Sequence, residues 1–125
     1  RQRFKRQLDR TDKGDLLIVY FAGHGSRDRK TGQTYFANYD AGESYASHWP
    51  VKEILSTVLD RFSGDEVIFM ADCCHSGALH DEAAKHRDDL ACACLTSSYS
   101  HNSSTGNWTF TESLIAGFQG SPLVD

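Results

Sequence analysis

Three short apolar runs, each passing straight into a polar loop, constrain this chain more than any other feature. Residues 16–22 read Leu-Leu-Ile-Val-Tyr-Phe-Ala, residues 67–71 read Val-Ile-Phe-Met-Ala, and residues 91–97 read Ala-Cys-Ala-Cys-Leu-Thr-Ser. The first is continuous rather than alternating, the pattern of a strand buried on both faces. Between the first two runs lies the clearest helix, opened by Trp49-Pro50. There Val51, Ile54, Leu55, Val58, Leu59 and Phe62 follow the i, i+3, i+4, i+7, i+8, i+11 spacing of a single apolar stripe. Pro50 suits a first helical turn, and Ser63-Gly64 suits a helix end. Strands alternating with helices predict an α/β domain with a mainly parallel sheet.

The remaining segments read less sharply. Residues 1–10 form the tail of a helix, with Phe4 and Leu8 one turn apart, and residues 12–15 form a turn. Residues 26–32 make a polar loop, and residues 34–37 a short extended piece. Residues 78–90 are charged and lack a clean period, which predicts a short helix or a mobile loop. Residues 98–108, rich in Ser, Asn and Gly, are loop. Thr109 and Glu112 make a capping box for a helix carrying Phe110, Leu114, Ile115 and Phe118.

Composition narrows the function classes. A chain of 125 residues has room for one core, and 39% apolar with 24% charged residues is the balance of a folded domain. A net charge of -4 supplies no basic field for nucleic acid. The basic cluster Arg1, Arg3, Lys5, Arg6 and Arg10 reads as a solvated helix face. No run approaches the roughly 18 apolar residues of a membrane span, and no secretory segment is visible. Cysteines 73, 74, 92 and 94 are adjacent or two apart, spacings that suit disulfides poorly. The expectation is therefore a reducing, cytoplasmic compartment. Because the chain begins with Arg1, a targeting segment upstream stays open.

In parallel α/β sheets, ligands bind beyond the carboxyl ends of the strands. Two of the three runs deliver a reactive side chain there. His24 follows the first run and Cys74 follows the second, fifty residues later. Gly23 and Gly25 flank His24, and Gly77 follows Cys74, so both loops can turn sharply. A thiol attacks a carbonyl as thiolate, an unperturbed cysteine ionises near ~8.5, and histidine is its usual activator. The backbone N–H groups of Gly25 and Cys74 are candidate oxyanion donors. Cys73 points to the opposite face of its strand and reads as core. His75 faces away from its neighbour Cys74. Cys92 and Cys94 share one strand face and read as core filling. Ser97 and Ser98, at the end of the third run, are candidate substrate contacts. A zinc set drawn from the four cysteines, His24 and His75 is the alternative from another class. Neither cysteine pair has the Cys-x2-Cys spacing that zinc modules favour, and no metal or other cofactor is expected.

Tyr20-Phe21-Ala22-Gly23-His24-Gly25, followed by Asp72-Cys73-Cys74-His75-Ser76-Gly77, closely resembles the caspase-like peptidases, above all their metacaspase and bacterial caspase-like branch. The histidine precedes the cysteine by about 50 residues in that family. The resemblance covers residues 14–77, and more weakly residues 95–120. It implies a caspase-like three-layer α/β fold, with a mainly parallel sheet between helices. An N-terminal strand would precede residue 1, making residues 1–125 part of a larger domain. It implies a cysteine endopeptidase with Cys74 as nucleophile and His24 as general base and then acid. Asp72 would line the S1 pocket and pair with a basic P1 side chain, so that proteins are cut after Arg or Lys. The sign agrees with a carboxylate facing guanidinium or ammonium. Related enzymes are often processed where residues 78–90 lie, which makes Lys85 and Arg87 candidate self-cleavage sites. The acidic calcium-binding loop of many metacaspases is not evident. The implied partners are a protein or peptide substrate and a regulatory domain or activator in the parent protein. A catalytically silent caspase-like module, used for binding or assembly, is the second alternative.

Overall fold

In the structure, a computed structural model that describes residues 1–40, 42, 45–104 and 109–121, the three apolar runs become three parallel strands. They are β1 (Leu16–Ala22), β5 (Glu66–Asp72) and β6 (Ala91–Thr96), in the order β1-β5-β6. Leu16 is level with Glu66 and Ala22 with Asp72, while Glu66 is level with Ala91 on the other side. Four helices accompany the sheet: α1 (Gln2–Leu8), α2 (Val51–Arg61), α3 (Ala78–Ala83) and α4 (Thr109–Phe118).

The core lies on one face of this sheet. Phe69, Val67, Ala71 and Cys73 of the central strand and its extension meet Leu8 of α1, Val51, Ile54, Leu55 and Val58 of α2, and Leu79 and Ala83 of α3. The stripe read from the α2 sequence is therefore its buried face. Leu17, Val19 and Phe21 of β1 and Cys92 and Cys94 of β6 pack against the same cluster.

The other face differs from the expectation for β1. Leu16, Ile18 and Tyr20 are 49%, 56% and 48% exposed, so β1 is buried on one face only. The reason is architectural: α1, α2 and α3 all pack into the one core, and α4 meets the opposite face near the upper ends of the strands, where Thr111 bonds Tyr20 and Asp72.

Between β1 and α2 the chain forms a second, antiparallel sheet: β2 (Gly25–Arg27), β3 (Thr34–Phe36) and β4 (Trp49–Pro50). Part of the loop expected over residues 26–32 is thus strand. Trp49-Pro50 pairs with β3 before the helix begins at Val51. Phe21 and Phe36 stack with centroids 4.5 Å apart, which fastens this small sheet to the core side of β1. Residues 78–90 resolve into α3, a 3₁₀ turn over Ala84–His86, and a further turn. Thr109 is the first residue of α4 rather than its cap, and residues 105–108 of the expected loop lie outside the described residues.

Phe69 is fully buried at the centre of the core. Phe69→Ala is expected to destabilise the fold by about 3–5 kcal/mol, the range for a large aromatic-to-alanine truncation. Urea unfolding followed by circular dichroism checks this.

Candidate active site

The β1–β5 register decides what the two loops can do together. Ala22 is level with Asp72, and the Gly23 N–H donates to the Asp72 carbonyl at 3.2 Å, so pairing continues past the strand ends. Two residues on from that pair come His24 and Cys74, each beyond the end of its strand, on chain segments that leave neighbouring strands of the sheet. Alternation puts Tyr20 and Ala22 on one face of β1 and Asp72 on the adjoining face of β5. The link between those faces is direct: the Tyr20 hydroxyl lies 2.8 Å from Thr111 Oγ1, which donates to Asp72 Oδ2 at 2.6 Å. His24 is exposed and Cys74 half-buried.

Gly25 is the point of closest approach between the two loops. A Cβ there would lie 1.8 Å from the Cys74 carbonyl oxygen and 3.2 Å from Cys73 Sγ. Only glycine allows this contact. The Ala37 N–H donates to the His24 carbonyl, and the Asp28 N–H to Gln33, each at 2.9 Å. The alternation of an antiparallel ladder then turns the Gly25 N–H away from β3.

The loop after β5 is tied to the segment after β6. The Cys73 N–H donates to Ser97 Oγ at 3.1 Å, and the Ser76 N–H to Ser98 Oγ at 3.2 Å. The His75 N–H donates to the Asn102 carbonyl, and the Gly77 N–H to the Ser98 carbonyl, each at 2.9 Å. Among the described residues, the Cys74 N–H is the exception in this run, with no acceptor. The Cys73 carbonyl accepts from Ser98 Oγ at 3.0 Å and from Ser97 Oγ at 3.4 Å. In a trans peptide the next N–H points opposite to that carbonyl, away from the two serines. His75 holds a left-handed backbone with φ of 59°, uncommon outside glycine and a mark of local strain next to Cys74.

The other candidate residues separate by place. Asp72 is 7% exposed, and its Oδ2 accepts from both the hydroxyl and the N–H of Thr111. Thr111 was not marked by the sequence, because nothing local connects it to a residue so far upstream. The Ser97 and Ser98 hydroxyls brace the Cys73–Ser76 turn, and a cleft of about 480 Å³ runs beside them, lined also by Tyr99 and Asn102. Lys85 lies in the 3₁₀ turn and is ion-paired with Glu82, whereas Arg87, in the turn that follows, is 83% exposed at its side chain.

The four cysteines are free thiols with different surroundings. Burial, aided by the charges of Cys74 and Asp72, pushes the Cys73 thiol up from 9.0 to about 12. Burial, with Cys92 beside it, pushes Cys94 up to about 12 as well. Among the described residues, no three His, Cys, Asp or Glu side chains could hold one metal ion. No helix among them is long and apolar enough to cross a membrane.

A parallel sheet in the order β1-β5-β6, flanked by helices, is the arrangement of a caspase-like domain. A family model described as the caspase domain matches residues 1–122, and the chain belongs to that family, whose members are cysteine peptidases acting on proteins. No curated protein and no solved structure matches the chain.

The raised cysteines set a pH dependence. Folding holds protons on Cys73 and Cys94 that the unfolded chain releases above 9.0, so the stability they contribute is intact below pH 9 and is lost as pH rises towards 12. The urea midpoint is expected to fall across that window, and to fall less in Cys73→Ala measured relative to its own value at pH 8.

Proposed function

We propose that this caspase-domain chain is a cysteine endopeptidase of metacaspase-like specificity, working through a Cys74–His24 dyad and cutting after Arg or Lys. The observation that carries the reading is the β1–β5 register, which ends with Ala22 level with Asp72 and brings the loops holding His24 and Cys74 to one edge of the sheet, where Gly25 closely approaches the Cys74 carbonyl. His24 takes the thiol proton, and the thiolate attacks the substrate carbonyl carbon. The tetrahedral oxyanion receives the N–H groups of Gly25 and Cys74, the two amides that the surrounding hydrogen bonding leaves turned outward. His24 then gives its proton to the leaving amine, and a thioester to Cys74 forms as the C–N bond breaks. Water, deprotonated by His24, cleaves the thioester and restores the thiol.

Asp72 is read as the S1 carboxylate. It lies two residues before the nucleophile, and Thr111 holds one of its oxygens in place. A fixed carboxylate selects a basic P1 side chain through a charge-assisted hydrogen bond. Ser97 and Ser98 contribute by bracing the nucleophile turn and by lining the cleft beside it. Both self-cleavage candidates are exposed and ion-paired, Lys85 with Glu82 and Arg87 with Asp88, and Arg87 is favoured because it lies beyond the 3₁₀ turn.

Hydrolysis of fluorogenic peptides with P1 Arg, Lys or Asp tests the reading. The chain is expected to cut after Arg and Lys, and Cys74→Ala or His24→Ala to lower kcat by about 10³-fold or more. Asp72→Asn is expected to raise KM for P1 Arg by roughly tenfold, in line with loss of a charge-assisted contact. Cleavage after Asp in place of Arg would overturn the pocket assignment, and a folded chain that cuts no peptide would point to the silent binding module. Intact mass after incubation is expected to show a cut after Arg87, absent in Cys74→Ala and in Arg87→Gln; an uncut active chain would remove the self-cleavage proposal.

A further inference from the structure

The geometry points to a latch on the Ser100 carbonyl, made by Arg27 and His75, that positions the nucleophile turn relative to the His24 loop; this rests on the Cys74–His24 reading above. The carbonyl takes two donors from two different loops. Arg27, three residues after His24 at the end of β2, donates Nη1–H to it at 3.0 Å. His75, the residue after Cys74, has Nδ1 at 3.0 Å from the same oxygen. A carbonyl oxygen only accepts, so Nδ1 of His75 carries the proton.

Three further features make this more than a surface contact. The His75 N–H donates to the Asn102 carbonyl, so imidazole and backbone both grip the same 100–102 turn. Its left-handed φ of 59° brings the ring to that turn, and two hydrogen bonds offset the strain. Gly77 closes the turn tightly, since a Cβ there would lie 2.6 Å from the Ser100 N atom and 2.9 Å from the Ser98 carbonyl. Arg27 is the charge-assisted partner, and it comes from the chain that carries the base. The latch therefore ties the histidine loop to the cysteine turn through a third segment that belongs to neither. A nucleophile and base must hold their mutual geometry closely for the chemical step, whereas a substrate bound elsewhere on the face does not sense small errors. Arg27 and His75 are positioning residues, and their loss is expected to appear in kcat rather than in KM.

The test uses the full chain with Arg27→Gln, His75→Gly, His75→Asn and the Arg27→Gln/His75→Gly double variant. Arg29→Gln, at a neighbouring exposed arginine, is the control. Glycine accepts the left-handed backbone but removes the donor, whereas asparagine tolerates that backbone and keeps a side-chain N–H. Amide hydrogen exchange of residues 98–102, read by mass spectrometry, is expected to quicken at least tenfold in Arg27→Gln and in His75→Gly, and to stay near wild type in His75→Asn and Arg29→Gln. For P1 Arg hydrolysis, kcat is expected to fall about tenfold in each of the first two, with KM within twofold. The double variant should lose little more than either single one, because both donors act through one carbonyl. Unchanged exchange in both single variants would overturn the latch, and so would a His75→Gly chain with full kcat. Failure of the peptidase reading is distinguished by wild type hydrolysing no peptide, in which case the exchange experiment alone decides the latch.

Discussion

The parallel pairing of β1 with β5 is the constraint on which the rest of this structure depends. It sets Ala22 level with Asp72, and so brings the loops that carry His24 and Cys74 to one edge of the sheet. A slip of one residue would turn every side chain of the shifted strand to the other face of the sheet, because side chains alternate with a period of two. Two contacts guard against that slip. The buried side chains Val67, Phe69 and Ala71 key β5 into the helices on one face only. Beyond the strand ends, Gly25 sits so close to the Cys74 carbonyl that no side chain fits between them.

The turn after β5 shows how a polar loop is held still without a core. Residues 73 to 77 contribute four amide donors to the chain after β6, and Ser97 and Ser98 return their hydroxyls to the Cys73 carbonyl. Each bond is worth on the order of 1 kcal/mol, so no single one dominates. Together they fix the orientation of the Cys73–Cys74 peptide, and a preorganised amide of this kind is what acyl transfer needs. The strain at His75 lies within this braced segment, as is usual where backbone geometry serves a site.

The two faces of the sheet divide the labour. The helix face holds the core, including Cys73, whose burial suppresses its ionisation. The opposite face carries Asp72, which is 7% exposed and bonded to Thr111. Its apolar residues Leu16, Ile18 and Leu95 stay largely exposed, as do Ile115 and Phe118 of α4. Thr111 is the one described residue that joins α4 to both Tyr20 and Asp72, and so it couples the helix to the Asp72 carboxylate.

The sequence by itself determined the three strands, the α2 stripe, and the placement of His24 and Cys74 at strand ends, because hydrophobic period and glycine punctuation are local signals. It also separated Cys73 from Cys74 by simple alternation. It missed β2 and β4, whose two or three polar or aromatic residues carry no period and become strands only through pairing with β3. It took β1 as buried on both faces, since an apolar run records what a strand tolerates and not how many helices arrive to cover it. Only the tertiary structure decided that Ser97 and Ser98 brace the turn after β5, that Thr111 pins Asp72, and that Arg27 and His75 meet on one carbonyl. Those partners lie between 22 and 73 residues apart along the chain, and hydrogen bonds between such distant segments leave no periodic trace in either one.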